Sequence, residues 1–119
     1  GRDGQRMKAM LKFVQEHFAE ELTASQIAHS AGLSASECLR CFHAVIGTTP
    51  MQYVKTFRVQ QAAQLLEGTD WPVATVGRQC GFKEMGYFAR AFREVYHCTP
   101  TEHRRAILQK KAGRAAAKP

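Results

Sequence analysis

No apolar run in this 119-residue chain approaches the ~18 to 20 residues needed to cross a bilayer, so no membrane-spanning helix is expected. Cysteine is scarce: Cys38, Cys41, Cys80 and Cys98 are too few and too irregularly spaced for a disulfide framework. No secretory signal is legible, and thiols kept reduced in a cytosol are the simpler reading. No stretch alternates apolar and polar residues long enough for a strand. No Gly-rich phosphate loop, carboxylate pair or Cys/His/Asp array stands out, and His17, His29, His97 and His103 form no constellation, which argues against an enzyme. The start, Gly1-Arg2-Asp3-Gly4, is neither an initiator Met nor a leader. The expectation is a piece of a longer chain, with residues 1–6 as a linker end and a companion domain before them.

What is present is positive charge, unevenly placed. The formal net charge of +7 favours an anionic partner. Arg2, Arg6 and Lys8 crowd the beginning, and Arg104, Arg105, Lys110, Lys111, Arg114 and Lys118 follow Glu102. Between Ala9 and His103, eight Lys/Arg face nine Asp/Glu, so composition alone supports nucleic acid only weakly. Residues 109–119, rich in Ala and Lys, are expected to fray.

Every strong local signal is helical. Met10, Leu11, Val14 and Phe18 recur at helical spacing from Met7 to Phe18. Thr23 with Gln26, and Ser34 with Glu37, have the spacing of capping boxes. The first should open a short helix with Ile27, Ala28 and Ala31, the second a helix with Cys38, Leu39, Phe42, Val45 and Ile46 that stops at Gly47. A long helix is predicted over residues 50–67, starting at Pro50. Thr69-Asp70-Trp71-Pro72 reads as a turn, followed by a short helix with Val73 and Val76. A longer one carries Tyr87, Phe88, Ala91, Phe92 and Val95, and a last short one runs from Thr99-Pro100 to about Leu108. The expectation is all-α, about seven helices.

Laid on itself at an offset of about fifty residues, the chain repeats. Ile27-Ala28-His29-Ser30-Ala31-Gly32-Leu33 matches Val76-Gly77-Arg78-Gln79-Cys80-Gly81-Phe82. After one extra residue in the second copy, Arg40-x-Phe42 matches Arg90-x-Phe92, and Thr49-Pro50 matches Thr99-Pro100. Each copy has helix-turn-helix marks: a small residue (Ala28, Gly77) for close helix crossing, a turn glycine (Gly32, Gly81) and an apolar plug (Leu33, Phe82). The predicted organisation is a first subdomain over 7–49, a linker helix over 50–67 and a second subdomain over 68–108, homeodomain-like and in tandem.

From Met7 to Leu108 the chain resembles the C-terminal DNA-binding domain of the AraC/XylS family of bacterial regulators. The most specific match is Gly81-Phe82-Lys83-Glu84-Met85-Gly86-Tyr87-Phe88-Ala89-Arg90-Ala91-Phe92-Arg93 with Thr99-Pro100-Thr101-Glu102-His103-Arg104; His103 departs from the usual Tyr. The resemblance implies two recognition helices in successive major grooves. A helix of eighteen residues, ~27 Å long, could set them near the ~34 Å repeat of B-DNA, with any shortfall met by bending the DNA.

Recognition helices read base edges mainly with their N-terminal turns. The candidates are Ser36, Glu37, Leu39, Arg40 and His43 in the first copy, and Lys83, Glu84, Met85, Gly86, Tyr87 and Arg90 in the second. Arg40 and Arg90 lead because arginine can bond guanine O6 and N7 together. Ser36 and Leu39 depart from the large aromatic and amide of familiar members, and Glu37 would repel phosphates. Backbone-contact candidates are the helix starts at Thr23 and Val73, with Arg58, Arg78 and Arg93.

Cys38-x-x-Cys41-x-His43 invites a zinc reading but lacks a second ligand pair of comparable spacing, and small buried hydrophobes explain these cysteines better. No metal or cofactor is expected. The expected partners are double-stranded DNA, RNA polymerase, and a sensing or dimerising N-terminal domain, in a bacterial cytoplasm. The competing reading is a helix-turn-helix fold used to bind protein without specific DNA binding.

Overall fold

Most helix starts along this chain are set by side-chain oxygens that accept the orphan N–H groups of a first turn, at Thr23, Ser34, Thr49, Glu84 and Thr99. The computed structural model, which describes residues 1–117, has α1 (Arg2–His17), α2 (Ala24–His29), α3 (Ala35–Val45), α4 (Pro50–Gly68), α5 (Val73–Gln79), α6 (Met85–Tyr96) and α7 (Pro100–Ala117), of which α1 and α5 start without a side-chain cap. No strand occurs among the described residues, and the architecture is the all-α tandem helix-turn-helix one. Thr23 and Ser34 form the capping boxes expected of them, and Thr99 forms a third reciprocal pair with Glu102.

The chain divides into two compact units, Gly1–Phe57 and Arg58 onward, the division falling within α4. In the first, Met7, Met10 and Val14 of α1 pack with Ile27 and Ala28 of α2, Leu33 at the corner, Cys38, Cys41 and Phe42 of α3 and Val54 of α4. Burying each large side chain of that kind contributes about 1.5 to 3 kcal/mol. Phe57 and Tyr53 close one side, edge-on to Phe18 (5.2 Å) and Phe42 (5.8 Å). The turn is made by Gly32 at φ +69°, a conformation a β-carbon penalises, and the Leu33 amide then donates to the Ala28 carbonyl at 2.9 Å.

The second unit repeats the device. Gly81 takes φ +94°, and the Phe82 amide donates to the Gly77 carbonyl at 3.0 Å. Val59, Ala62, Ala63 and Leu66 of α4 are buried, as are Val76, Cys80, Phe82, Phe88, Ala91 and Phe92. A β-carbon on Gly77 would lie 2.7 Å from the Phe88 ring, so this glycine lets α5 and α6 approach closely.

The ends differ from expectation. α1 begins at Arg2, where the residues before Met7 read as a linker end, and α7 runs on to Ala117 through the stretch read as fraying. The last two positions of that stretch, 118–119, which include the expected basic Lys118, lie outside the described residues. The stretch after Leu108, rich in Ala, Lys, Arg and Gln, has high helix propensity but no apolar stripe to announce it, whereas Asp3 and Gly4 give the first turn of α1 neither signal. α7 also has a docking role. Arg104 donates from Nε to the Leu66 carbonyl (3.1 Å) and from Nη2 to that of Thr69 (3.3 Å), and Lys111 Nζ donates to that of Glu67 (3.0 Å). These cations reach main-chain oxygens at and just past the end of α4, where carbonyls lack helical partners. Val45 and Ile46, read as part of the apolar face of α3, are exposed, because α3 ends at Val45 and the chain turns away at Gly47 (φ +88°).

Candidate nucleic-acid interface

α3 offers one outward face. Ser36, Leu39, Arg40 and His43, at helical spacing, are all exposed, while Cys38, Cys41 and Phe42 point into the core. Glu37 is exposed too, but its carboxylate has local work. Glu37 Oε1 accepts from the Ser34 amide (3.0 Å) while the Glu37 amide donates to Ser34 Oγ (3.2 Å). Hydrogen bonding with Ser34, that from its backbone amide foremost, holds the Glu37 carboxyl below its usual range. Arg40 also has a partner: its Nη1 donates to Asp3 Oδ2 of α1 at 3.3 Å, and its Nη2 faces Cys41 Sγ at 3.6 Å. Sequence reasoning missed Asp3, because a contact spanning 37 positions leaves no local signal.

α6 begins differently. Glu84 is its N-cap, accepting from the Gly86 amide at Oε1 and the Tyr87 amide at Oε2, both at 2.9 Å. The same carboxylate lies 3.8 Å from Arg90 Nη2. Gly86 makes room for this: a β-carbon there would sit 2.6 Å from Glu84 Oε1. Lys83, Glu84, Tyr87 and Arg90 are exposed, whereas Met85 and Gly86 are half-buried. Met85 turns its terminal methyl toward α5, 3.1 Å from where a Gly77 β-carbon would stand. So Lys83, Tyr87 and Arg90 are the exposed candidates of the second copy whose side chains do not cap the helix.

The backbone-contact candidates are of two kinds. Arg78 in the last turn of α5 and Arg93 on α6 are exposed. Arg58 on α4 is half-buried; burial lowers its pKa, and the nearby Tyr87 opposes that shift. Thr23 uses both amide and hydroxyl in its own capping box, and Val73 is half-buried beside Met85 and Phe88 in an apolar groove. Cys38, Cys41 and Cys80 are buried, and burial pushes the Cys80 thiol up to about 11. Among the described residues no three His, Cys, Asp or Glu side chains converge as a metal site, and no helix is long and apolar enough to cross a membrane.

A family described as a helix-turn-helix domain matches residues 27–106. Among solved structures, a transcriptional regulator from Chromobacterium violaceum, described as having an AraC-type DNA-binding domain, superposes with a TM-score of 0.84 at 27% identity, covering 89% of this chain and 95% of that one. The DNA-binding domain of AdpA, a global transcriptional factor solved in complex with a target DNA, gives 0.82 at 29% identity over 87% of this chain and 93% of that one. The uncharacterised helix-turn-helix-type transcriptional regulator YdeC of Bacillus subtilis is 35% identical over 100 residues, which is 84% of this chain and 34% of YdeC. The chain spans about a third of the length of the curated relatives it matches. It belongs to the AraC-type helix-turn-helix family, and its fold and family are those of DNA-binding transcription regulators.

Proposed function

We propose that this chain binds double-stranded DNA sequence-specifically, each recognition helix entering a major groove, as the DNA-reading part of a bacterial transcription regulator and without enzymatic activity of its own. The observation that carries this is the doubled unit: two glycine-cornered helix pairs, each presenting an exposed arginine at the equivalent place on its second helix. α3 reads with Ser36, Leu39, Arg40 and His43, and α6 with Lys83, Tyr87 and Arg90. Glu37, Glu84, Met85 and Gly86 act chiefly by shaping those helices. Arg58, Arg78 and Arg93, with the starts of α2 and α5 at Thr23 and Val73, are the phosphate side of the interface; such contacts set register without reading sequence. The roughly one-third coverage of the relatives supports a sensing or dimerising domain elsewhere in the protein. The family supports a cytoplasmic setting and RNA polymerase as a further partner.

The test is selection from a random duplex library, followed by binding of the winner and a scrambled duplex across salt. A bipartite motif with half-sites about one helical turn apart, bound at least ~10³-fold more tightly than the scramble, is the expected result. Equal binding to any duplex, lost at modest salt, would overturn the reading, since only the basic ends would then be engaged.

A further inference from the structure

In the first unit the outward arginine is held by a residue that lies outside the helix-turn-helix. Asp3, in the first turn of α1, takes Arg40 Nη1 on Oδ2 at 3.3 Å. Its other oxygen faces Arg6 Nη1 at 3.6 Å and the Cys41 thiol at 3.7 Å. Cys41 is fully buried, so one of the groups steadying this carboxylate belongs to the core. The Arg40 hydrogen bond is the main reason the Asp3 carboxyl sits below its usual range. The second unit has a parallel, since Arg90 faces the Glu84 carboxylate at 3.8 Å.

We propose that Asp3 is a specificity-determining residue of the first reading helix, acting through Arg40. A guanidinium with no partner binds any phosphate it meets, and such contacts carry no sequence information. One held by a carboxylate gains little by exchanging that anionic oxygen for a phosphate oxygen. Guanine is different, because N7 and O6 accept two donors at once. Asp3 therefore lowers Arg40's return from non-specific DNA more than its return from the right base. Both side chains are about half exposed (56% for Arg40, 44% for Asp3), so the effect is that of an exposed ion pair, about two- to fivefold in discrimination.

The inference rests on Arg40 reading a base, and the experiment separates the two. Asp3→Asn, Arg40→Ala and the double variant are compared on the selected duplex, on single-base variants of it and on the scramble. Asp3→Asn should bind the scramble more tightly and lose about two- to fivefold of the preference at the base that Arg40→Ala also affects. Asp3→Glu, which keeps the carboxylate, should retain that preference. In the Arg40→Ala background the Asp3→Asn change should no longer alter preference at any position. If Asp3→Asn shifts all sequences alike, or acts equally with and without Arg40, Asp3 works through net charge and the proposal is overturned. If Arg40→Ala leaves every base preference unchanged, the assignment of Arg40 as a base contact fails first, whatever Asp3 does.

Discussion

The two units have the same kind of turn, each over its own core, but begin their second helices, α3 and α6, by different chemistry. In the first, three residues divide the work: Ser34 caps α3, Glu37 completes the box, and Asp3 of a different helix holds the outward Arg40. In the second, the single carboxylate of Glu84 caps α6 and lies beside Arg90. The extra residue in the second turn, Lys83, accompanies the change, since the cap there follows the corner Phe82 by two positions rather than one. A repeated unit thus keeps what closes its corner and varies what starts its exposed helix. The second unit couples helix stability to arginine placement through one side chain, and the first keeps them apart.

The largest effects lie where the units agree. Phe42 and Phe92 occupy equivalent places and are each fully buried. Replacing either with Ala should cost about 3 to 5 kcal/mol, read by chemical denaturation. A much smaller loss for one of them would show that its core relaxes around the cavity and that the equivalence is only one of sequence. Next comes the small residue beneath each crossing. Gly77→Ala should destabilise by about 1 to 3 kcal/mol, although Ala is the better helix former, because its β-carbon would meet the buried Phe88 ring. Ala28 already carries a β-carbon in the first unit, and Ala28→Gly should cost only about 1 kcal/mol. Neutral behaviour of Gly77→Ala would mean that α6 can slide away at little cost.

What could be read ahead of the structure was what leaves a local mark. Gly32 and Gly81 announce corners, Thr23 and Ser34 announce helix starts, and Phe42 and Phe92 announce buried faces through their spacing. Arg40 and Arg90 could be paired because the repeat aligns them. The extensions of α1 to Arg2 and α7 to Ala117 left no such mark, since helices that are polar along most of their surface show no period. Nor did the partners of the outward arginines. The Asp3–Arg40 bond depends on how α1 packs beside α3, and the Glu84 cap depends on a carboxylate folding back over Gly86. Val45 and Ile46 mislead because apolar type at helical spacing predicts burial only while the helix stays packed.

The divided and combined arrangements can be told apart by stability alone. Glu84→Ala removes a helix cap and should cost about 1 kcal/mol. Asp3→Asn removes an exposed ion pair from a residue that caps nothing on α3, and should leave stability nearly unchanged. Comparable losses in thermal or denaturant unfolding would show that Asp3 also anchors α1, making the first unit as coupled as the second.

The smallest effect concerns pH and sets one capping box against another. Thr23 and Gln26 make a neutral box at α2, whereas Ser34 with Glu37 and Thr99 with Glu102 make charged ones at α3 and α7. Hydrogen bonds from Ser34 and from Thr99 lower the pKa of Glu37 and Glu102 respectively. A carboxyl whose folded pKa lies below its unfolded one binds its proton more readily when unfolded. Its contribution is therefore fully present above the unfolded value of about 4.3 and is lost as pH falls through the lower folded value. Glu37→Gln should convert the α3 box to the α2 kind, keeping the acceptor and removing that part of the acid dependence. In the double variant Glu37→Gln/Glu102→Gln, the fall in melting temperature between pH 5 and pH 3 should be shallower than in the unaltered chain, with the pH 7 value nearly the same. An unchanged slope would mean that other carboxylates, Asp3 beside Arg40 foremost among them, set the acid limit of the fold.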